Sequence, residues 1–310
     1  MKACTNCTLP ENFPNAQIDD AGLCGYCRRG TMLPDYAHEE PRFEKLIEEQ
    51  RRTPRQYDCL VCYSGGKDST YALIRIKERY KLRPLAFTLD NGFISKKAKE
   101  NIELICGKLG IDLLVVRPRS PQMQALYRAT LENKIFDEQT MSRLSATCYA
   151  CITFVNYQAL QLALEKNIRM VVGGFTHGQV PKAVFPLKTE FLKQTFTDAK
   201  RKLAENAQFD AEGFYPRVDF DRLDKSEPIY KVNPLLFERY DEKKILGEIA
   251  KYGWEKPKDV DSCSTNCLMN RVGNYYHYKR YGYHPYQYEV SSLIRLGSIT
   301  KEEGDRKSVV

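Results

Sequence analysis

Apolar and polar positions follow two periods along this chain. Asp58-Cys59-Leu60-Val61-Cys62-Tyr63 is a short apolar run ending in Ser-Gly-Gly, and Ser69 to Tyr80 carries apolar residues at helical spacing. Leu85-Ala86-Phe87-Thr88-Leu89-Asp90 is a second run, followed by a turn at Asn91-Gly92 and a helical pattern from about Ser95 to Leu109. Asp112-Leu113-Leu114-Val115-Val116 predicts a third strand, Ile152 to Lys166 a helix, and Arg169-Met170-Val171-Val172-Gly173-Gly174 a fourth strand. Short apolar runs alternating with helices predict an α/β fold, a doubly wound parallel sheet covered on both faces. Ligands of such sheets sit at the carboxyl ends of the strands, where Ser64, Asp90 and Gly173 fall. Residues 42–56 read as a charged helix, residues 190–206 and 240–252 as further helices, and Tyr275 to Tyr288 is dense in tyrosine. The division predicts a small irregular module over 1–40, the α/β domain over 41–190 and a mostly helical region over 191–310.

Composition alters this picture chiefly through cysteine. Hydrophobic residues at 42% and charged residues at 28% are ordinary for a globular chain, which excludes disorder as the default. No apolar run approaches the length of a bilayer span, and Met1-Lys2-Ala3-Cys4 lacks the apolar stretch of a signal peptide, so a cytoplasmic location is expected. Of eleven cysteines, eight fall in close pairs: Cys4/Cys7, Cys24/Cys27, Cys148/Cys151 and Cys263/Cys267. A reducing compartment disfavours structural disulfides, so paired spacing points to ligation. Cys4 and Cys7 are separated from Cys24 and Cys27 by 16 residues, a spacing that can place four thiolates around Zn2+ and leave no open position. For Cys148, Cys151, Cys263 and Cys267 three readings stand together: a second zinc site, an iron-sulfur cluster such as [4Fe-4S], or a catalytic pair.

Ser64-Gly65-Gly66-Lys67-Asp68-Ser69-Thr70 lies between a strand and a helix. Two glycines allow a tight turn whose N–H groups point at an anion, and the helix adds its positive end. Lys67 supplies a cation, Ser64 and Ser69 supply hydroxyl donors, and Asp68 can help hold Mg2+. The spacing is not that of G-x-x-x-x-G-K-[ST]. Ser64 to Ser69 resembles the SGGKDS signature of the PP-loop ATP pyrophosphatase superfamily, over residues 57 to about 180. The resemblance implies an adenine nucleotide alpha-hydrolase-like fold and cleavage of ATP to AMP and pyrophosphate. It assigns the phosphates to Ser64 through Thr70, with Lys67 and Asp68 catalytic, and places Asp90 and Gly173 near the nucleotide.

Two branches of that superfamily are echoed. Cys4-Thr5-Asn6-Cys7-Thr8-Leu9-Pro10, Asp20 to Cys27 and the tail Ile294 to Gly304 are similar to N-acetyl sugar amidotransferases. That likeness implies nitrogen transfer to a nucleotide sugar in surface polysaccharide biosynthesis, with ammonia from a partner glutaminase subunit. Gly173-Gly174-Phe175-Thr176-His177 departs from the Trp-Gly-Glu run usual there. The second likeness is to two-cysteine tRNA thiolation enzymes, with Cys148, Cys151 and Cys263 or Cys267 as the matching set, implying ATP-dependent sulfur transfer. A net charge of +8 is compatible with RNA or with small anions alike. A zinc-binding adaptor without catalysis is the remaining class, against which the intact Lys67, Asp68 and Ser69 argue.

Overall fold

The structure, a computed structural model, describes residues 2–30, 36–180, 182–261 and 264–307. Helix α1 (Glu40–Arg51) leads into β1 (Cys59–Cys62), α2 (Lys67–Ile74), β2 (Pro84–Leu89), α3 (Lys96–Leu109) and β3 (Asp112–Val116). Then come α4 (Ser120–Glu132), α5 (Ala146–Glu165), β4 (Met170–Val172), β5 (Val184–Pro186), α6 (Thr189–Ala207), β6 (Tyr230–Val232), α7 (Glu242–Ala250), α8 (Leu268–Tyr281) and α9 (Gln287–Arg295). The strands form one sheet in the order β3-β2-β1-β4-β6-β5, parallel throughout except for the edge strand β5. The chain winds outward from β1 through β2 to β3, then returns to β4 on the other side of β1. A topological switch point therefore opens between β1 and β4, where sheets of this kind leave a crevice.

The pleat decides which helices cover which face. Leu60, Leu85, Phe87 and Val171 point to the face covered by α4, α5 and α6, where they meet Met123, Leu126, Phe154, Leu160 and Leu203. Val61, Ala86, Val172 and Val232 point to the other face, with Leu73, Ile105, Ile249 and Trp254. Burying a strand on both faces requires the nearly continuous apolar runs that announced these strands.

Three elements differ from the sequence reading. Helix α5 begins at Ala146, not Ile152, because the Ser145 hydroxyl caps it by accepting from the Cys148 N–H at 3.3 Å. Cys148 and Cys151 therefore lie inside its first two turns. Helix α2 begins at Lys67 and passes into a π-helical turn over Arg75–Arg79, so the expected helix from Ser69 to Tyr80 is two differently wound pieces. Strand β6, which the pattern after 190 did not announce, lies within the region read as mostly helical and pairs with β4 in the central sheet.

The module carrying Cys4, Cys7, Cys24 and Cys27 forms its own small core with Leu9, Phe13 and Tyr283. The tyrosine-dense stretch divides: Tyr281, Tyr283 and Tyr288 pack against this core, whereas Tyr275, Tyr276 and Tyr278 are exposed on α8. Among the described residues, no helix is long and apolar enough to cross a membrane.

Candidate functional site

The crevice at the switch point is a cavity of about 370 Å³. Its floor at one end is the loop from Ser64 to Ser69. Gly65 has φ +75°, and a Cβ there would stand 2.6 Å from the Ala98 carbonyl oxygen of α3, so both conformation and space demand glycine. Gly174, leaving β4, brings its backbone against the start of α2, where a Cβ would lie 2.7 Å from the Ser69 Cα. Ser64 and Ser69 hydroxyls are 3.0 Å apart, and the Thr70 hydroxyl donates to the Gly66 carbonyl at 2.8 Å. Thr70 thus braces the loop from inside the helix, while Ser64 and Ser69 face the cavity.

Lys67 is buried, with its ammonium 2.7 Å from Asp68 and 3.9 Å from Glu242, and lies over the Tyr240 ring at 5.7 Å. Burial works against its charge, but Asp68, Tyr240 and Glu242 outweigh it and hold the pKa well above the usual lysine range. Lys67 is therefore a fixed cation at the start of a helix, which suits an anionic ligand. Its backbone N–H donates to the Thr265 hydroxyl at 2.8 Å, and the Trp254 indole N–H donates to the Gly65 carbonyl at 2.9 Å. Residues far along the chain therefore complete the loop.

The segment carrying Thr265 folds over the cavity and is stitched to the turn after β2. Ser95 N–H donates to the Asn266 carbonyl and Leu268 N–H to the Phe93 carbonyl, each at 2.9 Å. This return brings Cys267 to the cavity wall with Cys148 and Cys151 from α5. Cys263 lies outside the described residues. Two side-chain amides hold the three sulfurs. Asn91 Nδ2 reaches Cys151 Sγ at 3.7 Å and Cys267 Sγ at 3.5 Å, while its Oδ1 accepts from the Phe93 N–H at 2.9 Å. Asn270 Nδ2 reaches Cys148 Sγ at 3.2 Å, and its Oδ1 accepts from Asn274 at 3.0 Å. With both amide oxygens engaged, the NH2 groups are left to face sulfur. The Tyr127 hydroxyl adds a donor to Cys151 at 3.6 Å.

Burial pushes the Cys148 thiol up to about 11 and the Cys151 thiol to about 12, and raises Cys267 as well. Without a positive partner these thiols stay protonated, and a bound metal would draw the protons off. The three sulfurs converge on one wall, and among the described residues they do not form a group whose ligand atoms all lie within 4.8 Å of one another. The N-terminal set differs. Sγ atoms of Cys4, Cys7, Cys24 and Cys27 all lie within 4.8 Å of one another, which fits a single tetrahedral ion.

Gly173 lines the cavity. The buried Asp90 carboxylate turns toward Lys99 at 3.2 Å and Arg117 at 2.5 Å, and accepts from the Gly92 N–H at 3.1 Å, as an ion-paired turn residue does. Asn91, its neighbour, faces the cavity instead. His177 is buried beside Tyr36, with ring centroids 5.7 Å apart. Cys62 is half-buried and also lines the cavity. Sequence reasoning missed Glu289, a cavity carboxyl held by Gln179 at 2.9 Å and Thr176 at 3.3 Å. Burial pushes it up to about 7 against the Gln179 donor.

No family model matches the sequence. It is 22% identical over 284 residues to an uncharacterized protein, MJ1599, of Methanocaldococcus jannaschii, across 89% of this chain and 82% of that one. Among solved structures it is similar to the U34-tRNA thiolase NcsA from Methanococcus maripaludis with its [4Fe-4S] cluster, at 15% identity and a TM-score of 0.40, covering 98% of this chain and 89% of that one. A predicted subunit of tRNA methyltransferase from Methanocaldococcus jannaschii matches at 17% identity and a TM-score of 0.36, over 75% of this chain and 91% of that one. The NH3-dependent NAD synthetase of Campylobacter jejuni matches at 13% identity and a TM-score of 0.32, over 74% of this chain and 100% of that one.

Proposed function

We propose that the protein is a PP-loop enzyme that uses ATP to activate a carbonyl oxygen of an acceptor, releasing pyrophosphate, and then replaces that oxygen with sulfur. The observation that carries this reading is that the phosphate loop and Cys148, Cys151 and Cys267 line one and the same cavity. A purely structural zinc site would have no reason to open into a nucleotide crevice, whereas a nucleophile that must meet an adenylated acceptor belongs there.

In this reading the loop N–H groups and Lys67 hold the β- and γ-phosphates. The acceptor oxygen bonds to the α-phosphorus as the α–β bridge breaks, and negative charge grows on the departing pyrophosphate. Lys67 meets that charge without reorganising, because Asp68 and Glu242 already fix it in place. Asp68 would help hold Mg2+, which would neutralise further phosphate charge. AMP then leaves with the original oxygen as the nucleophile closes on carbon. An iron-sulfur group held by Cys148, Cys151 and Cys267 would supply the sulfur, and Asn91, Asn270 and Tyr127 would orient its ligands.

Nitrogen transfer to a nucleotide sugar is the second reading. The cysteine pairs of the N-terminal module and the tail from Ile294 to Gly304 favour it. One experiment separates them. Protein purified without oxygen is analysed for zinc, iron and acid-labile sulfide, then incubated with ATP and candidate acceptors while AMP and pyrophosphate are measured. Sulfur transfer requires iron and sulfide beyond one zinc per chain. Two zinc ions and no iron would turn the assignment to nitrogen transfer, and acceptor-dependent release of ADP instead of AMP would sink both.

A further inference from the structure

Helix α9 stands between the N-terminal module and the cavity, and its two sides do different things. On the cavity side, Tyr286, Tyr288 and Glu289 form part of the wall. On the other side Gln287 donates through Nε2 to both the carbonyl and the hydroxyl of Thr8, each at 3.1 Å. Thr8 follows Cys7 directly and has φ +67°, a left-handed conformation costly for a β-branched residue. A turn of that kind persists only when its surroundings hold it, and Gln287 is one of those holds. At the far end of α9, Arg295 donates to Cys7 Sγ at 3.4 Å and lies 5.7 Å from the ring centroids of both Tyr26 and Tyr288. Its guanidinium faces the sulfur of Cys7. Four thiolates around a divalent ion carry net negative charge, which a guanidinium at hydrogen-bond distance offsets.

Tyr288 belongs to both sides at once. Its ring packs on Tyr26 at 5.4 Å and Phe13 at 6.2 Å within the module's core, and it also lines the cavity under Arg143 at 3.7 Å. Arg143 in turn donates to the Gly178 carbonyl at 3.1 Å, in the loop whose Thr176 and Gln179 hold Glu289. A continuous set of contacts therefore runs from the thiols through α9 to the cavity.

We propose that the ion-bound module is the buttress of α9, and that Gln287 and Arg295 are positioning residues through which occupancy of Cys4, Cys7, Cys24 and Cys27 sets the wall of the nucleotide cavity. Coupling of this kind is reciprocal: a ligand that needs the wall in place also tightens the hold on the ion. The nucleotide half of the inference rests on the function proposed above, whereas the mechanical half does not.

The test uses the full chain and measures amide exchange over residues 286–292, metal release to a chelator, and ATP affinity. Removing the module's ion should speed exchange at 286–292 by at least about tenfold while β1 and β2 stay protected. Gln287→Ala, with its zinc content intact, should speed exchange in the same segment and weaken ATP binding by about fivefold or more, and Gln287→Glu should not restore the lost Thr8 contact. Saturating ATP should tighten the wild type's hold on the ion against the chelator, and Arg295→Met should diminish that protection. Unchanged exchange at 286–292 on metal removal overturns the proposal, as does a uniform loss of protection across the sheet. If the loaded wild type binds no ATP, the functional reading fails while the exchange measurement still decides whether α9 is buttressed.

Discussion

Lys67 is an ammonium buried between two carboxylates and a phenol ring, so its charge is maintained by neighbours that cannot leave. Replacing it with alanine removes the only side-chain cation of the loop and leaves Asp68 and Glu242 without their common partner. Lys67→Ala should therefore lower pyrophosphate release about 10²–10³-fold, the usual scale for losing one preorganised electrostatic donor. A coupled pyrophosphate assay with the true acceptor present checks this, and an unchanged rate would remove Lys67 from the reaction. At this scale the loop was legible because its residues are contiguous: Ser64 to Ser69 carry turn, anion site and cation within six positions. Thr265, Trp254, Asn270 and Glu289 were not. Each is an ordinary polar or aromatic residue until the chain's return brings it to the cavity; the Cys263/Cys267 pair hints at that return but names none of them.

Helix α8 illustrates what a single element conceals. His277 is buried on it, both ring nitrogens lack a hydrogen-bond partner in the structure, and the ring packs on Tyr281 and Tyr283 at 4.7 and 5.2 Å. Burial, helped by His284 and Arg280, lowers its pKa from 6.5 to about 3. The unfolded chain binds a proton below 6.5 that the folded chain refuses, so this residue leaves stability intact above 6.5 and erodes it as pH falls from 6.5 toward 3. His277→Phe should flatten that acid limb. Urea unfolding compared at about pH 7.5 and about pH 4.5 should show the wild type losing roughly 1–3 kcal/mol more than the variant between the two. Equal losses would mean that His277 is protonated in the fold. The start of α5 was hidden for another reason. Thr147, Cys148, Tyr149 and Cys151 are middling helix formers with no apolar stripe, and only the Ser145 cap fixes where the helix starts.

Across the whole molecule, the sheet was the most readable feature, since β1, β2 and β4 are apolar runs buried on both faces and β3 is a similar run left partly exposed at the sheet edge. Strands β5 and β6 were missed because each contributes only three residues and neither carries a distinctive period. Their pairing is settled by the sheet edge they join. The chain's single tryptophan, Trp254, connects the region after α7 to the phosphate loop by its bond to Gly65. Binding of MgATP should therefore change intrinsic emission in a saturable way, and Trp254→Phe should abolish the signal. A wild type that turns over ATP with constant emission would show that the loop and Trp254 move independently.

The contacts from Gln287 to Thr8 and from Arg295 to Cys7 join residues 279 and 288 positions apart. On the ribosome, at roughly 5–20 residues per second, the first partner waits on the order of 15–60 s for the second. Throughout that interval Phe13 lacks the tyrosine rings that later cover it, and the four thiols are guarded only by whatever ion they have captured. The module's four thiols are thus exposed long before the helix that braces them exists.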